Sequence, residues 1–404
     1  MKKITFLSLL LTLSCSLFAH NTQLDVKATV SQRGGAIMLN GYGTIVYELT
    51  NTSDKTIHVH GVESSWNAGG QSYNGWNQHQ DMTLAANETK KFDTIVWMSP
   101  QTEEMAGGAT PFVSGEVRYE IEGSKAAAPY KVDVVIASLP SPMKIIKGKY
   151  IGIELQESTW AEVDHDKKIV KYVDQTYKWM QDLTSNTPYN GDLMILLEAP
   201  ENPYYAYAGN PIVMNTKFVA KAAATFDNDL VEFGWVHEMG HDFDDVIGNW
   251  YNWGTFTEFQ ANIKLSYVVE MMCKPKSKIK INSWVDKKTP MDGVEFNDEF
   301  FVPYSKAYLA SDKAWTEMIS DDYHSLFMAV IREQGWGVLK DFYATFGELS
   351  KRADNYPHGM DRVELALSVF DKCAGGDLSE LYAQYRIPLD KAKMSKILQK
   401  YNIE

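Results

Sequence analysis

The hydrophobic period of this chain changes once, at Leu139-Pro140-Ser141-Pro142, and that change constrains the fold more than any other feature. Ahead of it, short runs alternate apolar and polar residues: Thr44–Leu49, Thr56–Val62, Phe92–Met98, Glu116–Ile121 and Val132–Ala137. Gly, Asn, Asp and Ser clusters such as Asn51–Asp54 and Gly69–Gly70 separate them. A period of two gives each segment one face for a core and one for water. Several such strands at this spacing predict an all-β, Ig-like sandwich over residues 21–140. The prolines of the break make it a linker.

Behind the linker the period becomes helical. Ile169, Val173, Tyr177, Met180 and Leu183 follow one another at steps of four and three, which places them on one helix face. The continuous apolar run Leu193–Leu197 reads as a buried strand. Asn210–Asn215 reads as a strand at the sheet edge, because Pro211 has no N–H to donate. Runs at Ser325–Arg332, Val338–Phe346 and Val363–Phe370 predict a mostly helical part from about residue 301, and the Lys- and Asp-rich stretch 274–298 a solvated excursion. A length of 404 residues fits at least two domains.

The chain begins like an exported protein. Lys2 and Lys3 precede the apolar stretch Ile4–Leu13, and small residues follow at Ser14, Ser16 and Ala19, so residues 1–20 read as a signal peptide. No segment is long and apolar enough to predict a transmembrane span. Cys15 offers a lipid-anchored alternative, although Thr12 stands where a lipoprotein signal usually has Leu. Export leads to secreted, periplasmic or cell-surface placement. Cys273 and Cys373 remain after cleavage, either paired or as two thiols. A formal net charge of −13 excludes nucleic acid as the main partner. The oligomeric state is not legible.

The chemistry concentrates in Trp235-Val-His-Glu-Met-Gly-His241. Two histidines four residues apart project from one face of a helix, close enough to share an ion. Zinc favours four-coordination with imidazole nitrogen, so His237 and His241 leave room for a third protein ligand and a water. Glu238, beside the first ligand, is placed to take a proton from that water as general base. Such a five-residue pattern arises by chance in roughly one chain of this length in a hundred, so context has to add to it. Glu258, in the first turn of a helix predicted over Thr255–Met271, is the candidate third ligand. The competing reading is a capping box from Thr255 to Glu258, in which the carboxylate only closes the helix start. Glu270 is the reserve ligand, and Asp242, Asp244 and Asp245 are candidates to orient the imidazoles. Ile247 stands where a metzincin would carry a third histidine.

Taken with these motifs, the flanking sequence resembles the M60/enhancin family of gluzincin peptidases. The pieces are Ser158-Thr-Trp-Ala-Glu162, Ala208-Gly-Asn-Pro-Ile212, Trp253-Gly-Thr-Phe-Thr-Glu-Phe-Gln-Ala-Asn262, Asp377-Leu-Ser-Glu-Leu-Tyr382 and Tyr385-Arg-Ile-Pro-Leu389. Together they cover roughly residues 145–390, with Phe259 where the family typically has Val. The resemblance implies an α+β zincin-like catalytic domain over 143–404, Zn2+ as cofactor on His237, His241 and Glu258, and Glu238 as base. It further implies an exported endopeptidase acting on protein or glycoprotein substrates, often mucin-like, behind a β-sandwich module. Two rivals stand beside it: a glycan-binding surface protein with a degenerate peptidase domain, and a zinc hydrolase acting on a non-peptide amide.

Lesser candidates complete the reading. His58 and His60 alternate on one strand, as a metal pair or a satisfied surface pair. Trp66, Tyr73 and Trp76 fall in a Gly/Asn-rich stretch read as a loop, where they either grip a sugar or pack. Tyr323 and His324 either stabilise an oxyanion or pack on a helix face.

Overall fold

In the computed structural model, residues 23–31, 36–99, 102, 107–352 and 355–403 are described, and the side chains of Tyr73 and Asn74 are not. The proposed signal peptide and Cys15 lie outside the described residues. The chain divides into two compact units, Met1–Pro140 and Ser141–Glu404. The first is strand-rich and the second ends in a helical part.

The first unit is built from β1 (Leu24–Val30), β2 (Ala36–Met38), β3 (Tyr42–Asn51), β4 (Ile57–Ala68), β5 (Gln71–Leu84), β6 (Thr89–Trp97), β7 (Phe112–Ile121), β8 (Ser124–Asp133) and β9 (Val135–Ala137). One sheet has the order β1-β3-β6 and the other β5-β4-β7-β8; β2 and β9 form a separate parallel pair. Alternation does the folding: on β3, Ile45, Tyr47 and Leu49 are buried while the residues between them are partly exposed. The inward residues of both sheets share one core, in which the Tyr47 hydroxyl donates to Tyr130 at 3.1 Å.

Here the structure corrects the loop reading of Trp66, Tyr73 and Trp76. All three lie on the β4–β5 hairpin, with Trp66 opposite Tyr73 and Ser64 opposite Trp76. Trp66 is buried in the core and donates its indole N–H to the Trp97 carbonyl at 3.2 Å. The sequence of β5 is polar nearly throughout because β5 is a sheet edge held by backbone pairing to β4, with little apolar surface to hide.

The second unit opens with a five-stranded sheet of β10 (Met143–Lys147), β11 (Ile151–Gln156), β12 (Met194–Ala199), β13 (Ala206–Tyr207) and β14 (Ile212–Asn215), in the order β10-β11-β12-β14-β13. The central strands β11, β12 and β14 are parallel and the two edges antiparallel. β14 is therefore interior, contrary to the edge expected from Pro211. That proline precedes the strand, and the Asn210 side chain supplies what it cannot. Asn210 Oδ1 accepts from Ile195 N at 2.9 Å and Nδ2 donates to the Leu193 carbonyl at 3.2 Å.

A one-turn helix α1 (Glu157–Trp160) precedes α2 (Asp166–Thr184), whose face of Ile169, Val173, Tyr177, Met180 and Leu183 is buried, as its period requires. Then follow α3 (Thr216–Asp227), α4 (Phe233–Asp242) and α5 (Thr255–Met272). The stretch 274–298 is not a plain excursion. It carries a short ribbon, β15 (Ile281–Asn282) with β16 (Pro290–Met291), and the start of α6 (Gly293–Leu309), which Asp292 caps in a full capping box. The helical part continues with α7 (Ser320–Gln334), α8 (Gly337–Arg352), α9 (Met360–Cys373), α10 (Ser379–Gln384) and α11 (Lys391–Lys400). No helix among the described residues is long and apolar enough to cross a membrane.

α5 is unlike the other helices: every residue from Phe259 to Val269 is buried. It touches α4 closely because Gly240 has no side chain there. A Cβ on Gly240 would stand 2.9 Å from the Ala261 carbonyl oxygen. Leu196, fully buried on β12 in the core shared by the sheet, α2 and α4, is a measure of how this platform is held. Leu196→Ala is expected to cost about 2–5 kcal/mol in urea unfolding, with the slope against urea unchanged.

Candidate metal centre

Two helices bring the predicted site residues together. Glu232 caps α4, its carboxylate accepting from Trp235 N at 2.6 Å. Trp235, Val236, Met239 and Gly240 form the buried face of α4, which leaves His237 and His241 one turn apart toward α5. Their rings are 4.8 Å apart and nearly perpendicular. Phe233, one turn earlier, lies parallel to the His237 ring at 5.9 Å.

From α5, Glu258 Oε2 reaches His237 Nε2 at 3.2 Å and His241 Nε2 at 3.5 Å. The capping-box alternative does not form. Gly254 occupies the cap with φ +53°, and the Thr255 hydroxyl donates instead to the Met318 carbonyl at 2.9 Å. The Glu258 carboxylate is thus left for the imidazoles.

One ligand atom from each of the three residues lies within 4.8 Å of the others. A tetrahedral ion with bonds of about 2.0–2.1 Å holds its donors about 3.3 Å apart, so the separations of 3.2 and 3.5 Å suit such an ion. Two imidazole nitrogens and one carboxylate oxygen are the donor chemistry zinc accepts, with a fourth position open. The Glu258 side chain is 56% exposed and the histidines 15% and 17%, so the group is reached from solvent on the side of the carboxylate.

Without an ion, the three groups hold one another by charge and hydrogen bonding. The hydrogen bonds from His237 and His241 then hold the Glu258 carboxyl far below its ordinary range. For His237, burial works against the proton, but Glu258 and the charge of Glu238 outweigh it and raise the pKa. Glu238 is raised chiefly by burial, against the pull of both imidazoles and the Ala208 N–H. A carboxylate held above its usual range is the stronger base.

The group that orients His237 was not among the expected ones. Asn262 Oδ1 lies 2.9 Å from His237 Nδ1. A carbonyl oxygen there calls for a proton on Nδ1 and leaves the Nε2 lone pair for an ion. Asn262 stands four residues after Glu258, on the same helix face, and that spacing was the available signal.

The acidic cluster corrects the expectation that it would orient imidazoles. Asp242 Oδ1 accepts from the Tyr189 hydroxyl at 2.7 Å, and burial raises its pKa well above the ordinary value. Asp244 is bound by Lys264, Tyr251 and Asn252, and Asp245 accepts from Tyr189 N.

Glu270 serves Asn297, Arg332 and Trp336 instead of a metal. Tyr323 and His324 are both buried, and His324 Nε2 pairs with the Ser266 hydroxyl at 2.8 Å, so neither is an oxyanion donor. His58 pairs with Thr83 and His60 with Glu120 on the strand-rich unit. Cys273 and Cys373 are unpaired, and burial raises both thiols, to about 12 and about 11.

Two expectations follow. Asn262→Ala should weaken zinc binding about 10–100-fold in competition with a chelator. Burial lowers His324 to about 3, against about 6.5 in an unfolded chain. Between those values the unfolded chain binds a proton that the folded one refuses. This contribution is therefore complete above the unfolded value and is lost as pH falls toward the folded one. On going from about pH 7 to about pH 4.5, wild type should lose about 2 kcal/mol more unfolding free energy than His324→Gln.

No protein-family model matches the chain, and no curated protein matches it. Among solved structures, it is similar to the ZmpB metallopeptidase from Clostridium perfringens at 13% identity and a TM-score of 0.40, over 94% of this chain and 74% of that one. A protein from Archaeoglobus fulgidus is similar at 14% identity and a TM-score of 0.21, over 26% of this chain and 90% of that one. The sporulation control protein Spo0M from Bacillus subtilis gives 10% identity and a TM-score of 0.22, over 28% and 50%. At these scores none of the three assigns an activity, and what the site can do follows from its own geometry.

Proposed function

We propose that this chain is an exported zinc-dependent endopeptidase, related to the M60/enhancin-like gluzincins, that hydrolyses peptide bonds in protein or glycoprotein substrates. The observation that carries the proposal is the meeting of His237, His241 and Glu258 at donor distances that suit zinc, with Glu238 beside them. Bound there, zinc would supply positive charge that polarises a carbonyl and lowers the pKa of a water toward roughly 7.

The remaining work falls to the chain. Asn262 fixes the ring and tautomer of His237, and burial raises the pKa of Glu238, which makes its carboxylate the stronger base once ionised. Glu238 takes the proton of the attacking water at a carboxylate oxygen. As the carbon–oxygen bond forms and the carbon–nitrogen bond breaks, the same proton passes to the departing amine nitrogen, which leaves protonated. Glu258 is more than half exposed, which suits a polypeptide drawn across an open site better than an enclosed small molecule.

The resemblance of segments between residues 145 and 390 to the M60/enhancin family supports the narrower reading, a mucin-like glycoprotein substrate met outside the cytoplasm. A degenerate, glycan-binding platform would have no use for Glu238, and its presence favours the enzyme.

Casein and a mucin offered to the zinc-loaded protein separate these readings, with products mapped by mass spectrometry before and after deglycosylation. Glu238→Gln should keep zinc within about threefold and lose about 100–10,000-fold in kcat. Undiminished cleavage by Glu238→Gln would remove the proposed base. A zinc-loaded wild type that binds glycan and cuts neither substrate would favour the platform.

A further inference from the structure

A helix buried on every side has a problem that an amphipathic helix does not. An apolar stripe tells a helix which way to face, because rotation would expose it. From Phe259 to Val269, α5 has no such stripe, since all of its faces are covered. The hydrophobic effect holds α5 in place and leaves its rotation and register weakly specified. Yet Glu258 must arrive within bonding reach of two imidazoles on another helix. Polar contacts have to supply that information.

The most demanding of these contacts is an ion pair. Lys264 is fully buried, and it is the only buried lysine or arginine among the described residues. Its Nζ lies 2.5 Å from Asp244 Oδ1 and donates to the Gln260 carbonyl at 3.0 Å, with the Tyr343 ring centroid 5.3 Å away. Asp244, two residues past the end of α4, is 6% exposed and also receives the Tyr251 hydroxyl at 2.6 Å and Asn252 Nδ2 at 3.0 Å. Gly248 keeps this knot tight, since a Cβ there would come within 2.6 Å of Asn252 Nδ2. Burial works against the Lys264 charge, and Asp244 opposes that effect.

Removing two charges from water costs much of what their attraction returns, so a buried pair is a poor source of stability. It is a good source of specificity, because any other register leaves both charges unpaired. The pair joins α5 to the end of α4 at a point distinct from the Gly240–Ala261 contact and the His237–Asn262 hydrogen bond. Gly240–Ala261 and His237–Asn262 lie within one turn of α5, and a third tie beyond them fixes the rotation that they leave free.

We infer that Lys264 and Asp244 are positioning residues whose buried ion pair sets the register of α5 on α4 and so delivers Glu258 to the histidines. The inference rests on the metal-centre reading of the triad, and its test reads the geometry without requiring peptidase activity.

The test compares Lys264→Met with the double variant Asp244→Asn, Lys264→Met. The single variant strands a carboxylate in the interior, and the zinc-free protein should lose about 5–15 °C in Tm. The double variant removes both charges of the pair and returns to within about 3 °C of wild type. Both variants should bind zinc ion about 10–100-fold more weakly than wild type, measured by chelator competition well below Tm. A crystal structure of the zinc-free double variant should show Glu258 Oε2 withdrawn from the separations of 3.2 and 3.5 Å to His237 and His241. A double variant that keeps those separations, or recovers zinc affinity along with stability, would show that the pair only supports folding and overturn the inference. Wild type that binds no zinc would instead sink the metal-centre reading, and the zinc-free crystal structure would still decide the register.

Discussion

The structure of the second unit depends on how closely α4 and α5 approach one another. Glycine at 240 permits it: with no Cβ, the backbone of the histidine helix rests against Ala261 of the glutamate helix. Close backbone approach shortens the reach each ligand has to span. His237 and His241 leave α4 one turn apart, and Glu258 leaves the first turn of α5 to meet both of them. The same crossing brings Asn262 to the far side of the His237 ring. Glu258 and Asn262 are thus presented by one helix at a spacing of four residues, and neither depends on a loop.

Around that crossing the fold is packed on both sides. The parallel centre of the sheet and α2 share a core with α4, while the C-terminal helices close over α5 with aromatic contacts such as Phe259 to Phe327, tilted at 53° with ring centroids 4.6 Å apart. The segment carrying β13 runs alongside the histidine helix. The Tyr205 hydroxyl donates to the capping Glu232 at 2.7 Å, and Gly234 makes room for the Tyr205 ring, which an added Cβ would meet at 2.2 Å. A little further on, the Ala208 N–H faces Glu238. Glu238 and the cap of the histidine helix are therefore both steadied from the sheet.

What the sequence disclosed was whatever repeats with the period of one element. The helix through Ile169 and Leu183, the strands that alternate, and the two histidines four residues apart all obey that rule. What it hid depends on contacts between elements. Asp242, Asp244 and Asp245 stand next to the ligand in sequence and suggested imidazole partners. In space they serve Tyr189 and Lys264, while the partner of His237 comes from another helix. Tyr323 and His324 left two readings open, oxyanion donor or helix-face packing, and the second holds: both are buried against α5, His324 on Ser266. β5 escaped detection because an edge strand needs little apolar sequence. The position of β14 was misread because a side chain, Asn210, supplies the hydrogen bonds that Pro211 cannot. Lys264 gave no sign of burial at all, since only the fold reveals its carboxylate.

The central claim, that two imidazoles and one carboxylate hold a zinc ion at the crossing of α4 and α5, is tested most directly by X-ray absorption at the zinc edge on zinc-loaded protein. The account predicts a light-atom shell of four nitrogen and oxygen donors at about 2.0–2.1 Å, with the outer scattering of two imidazole rings. A sulfur donor at about 2.3 Å, or a zinc shell without imidazole scattering, would contradict it.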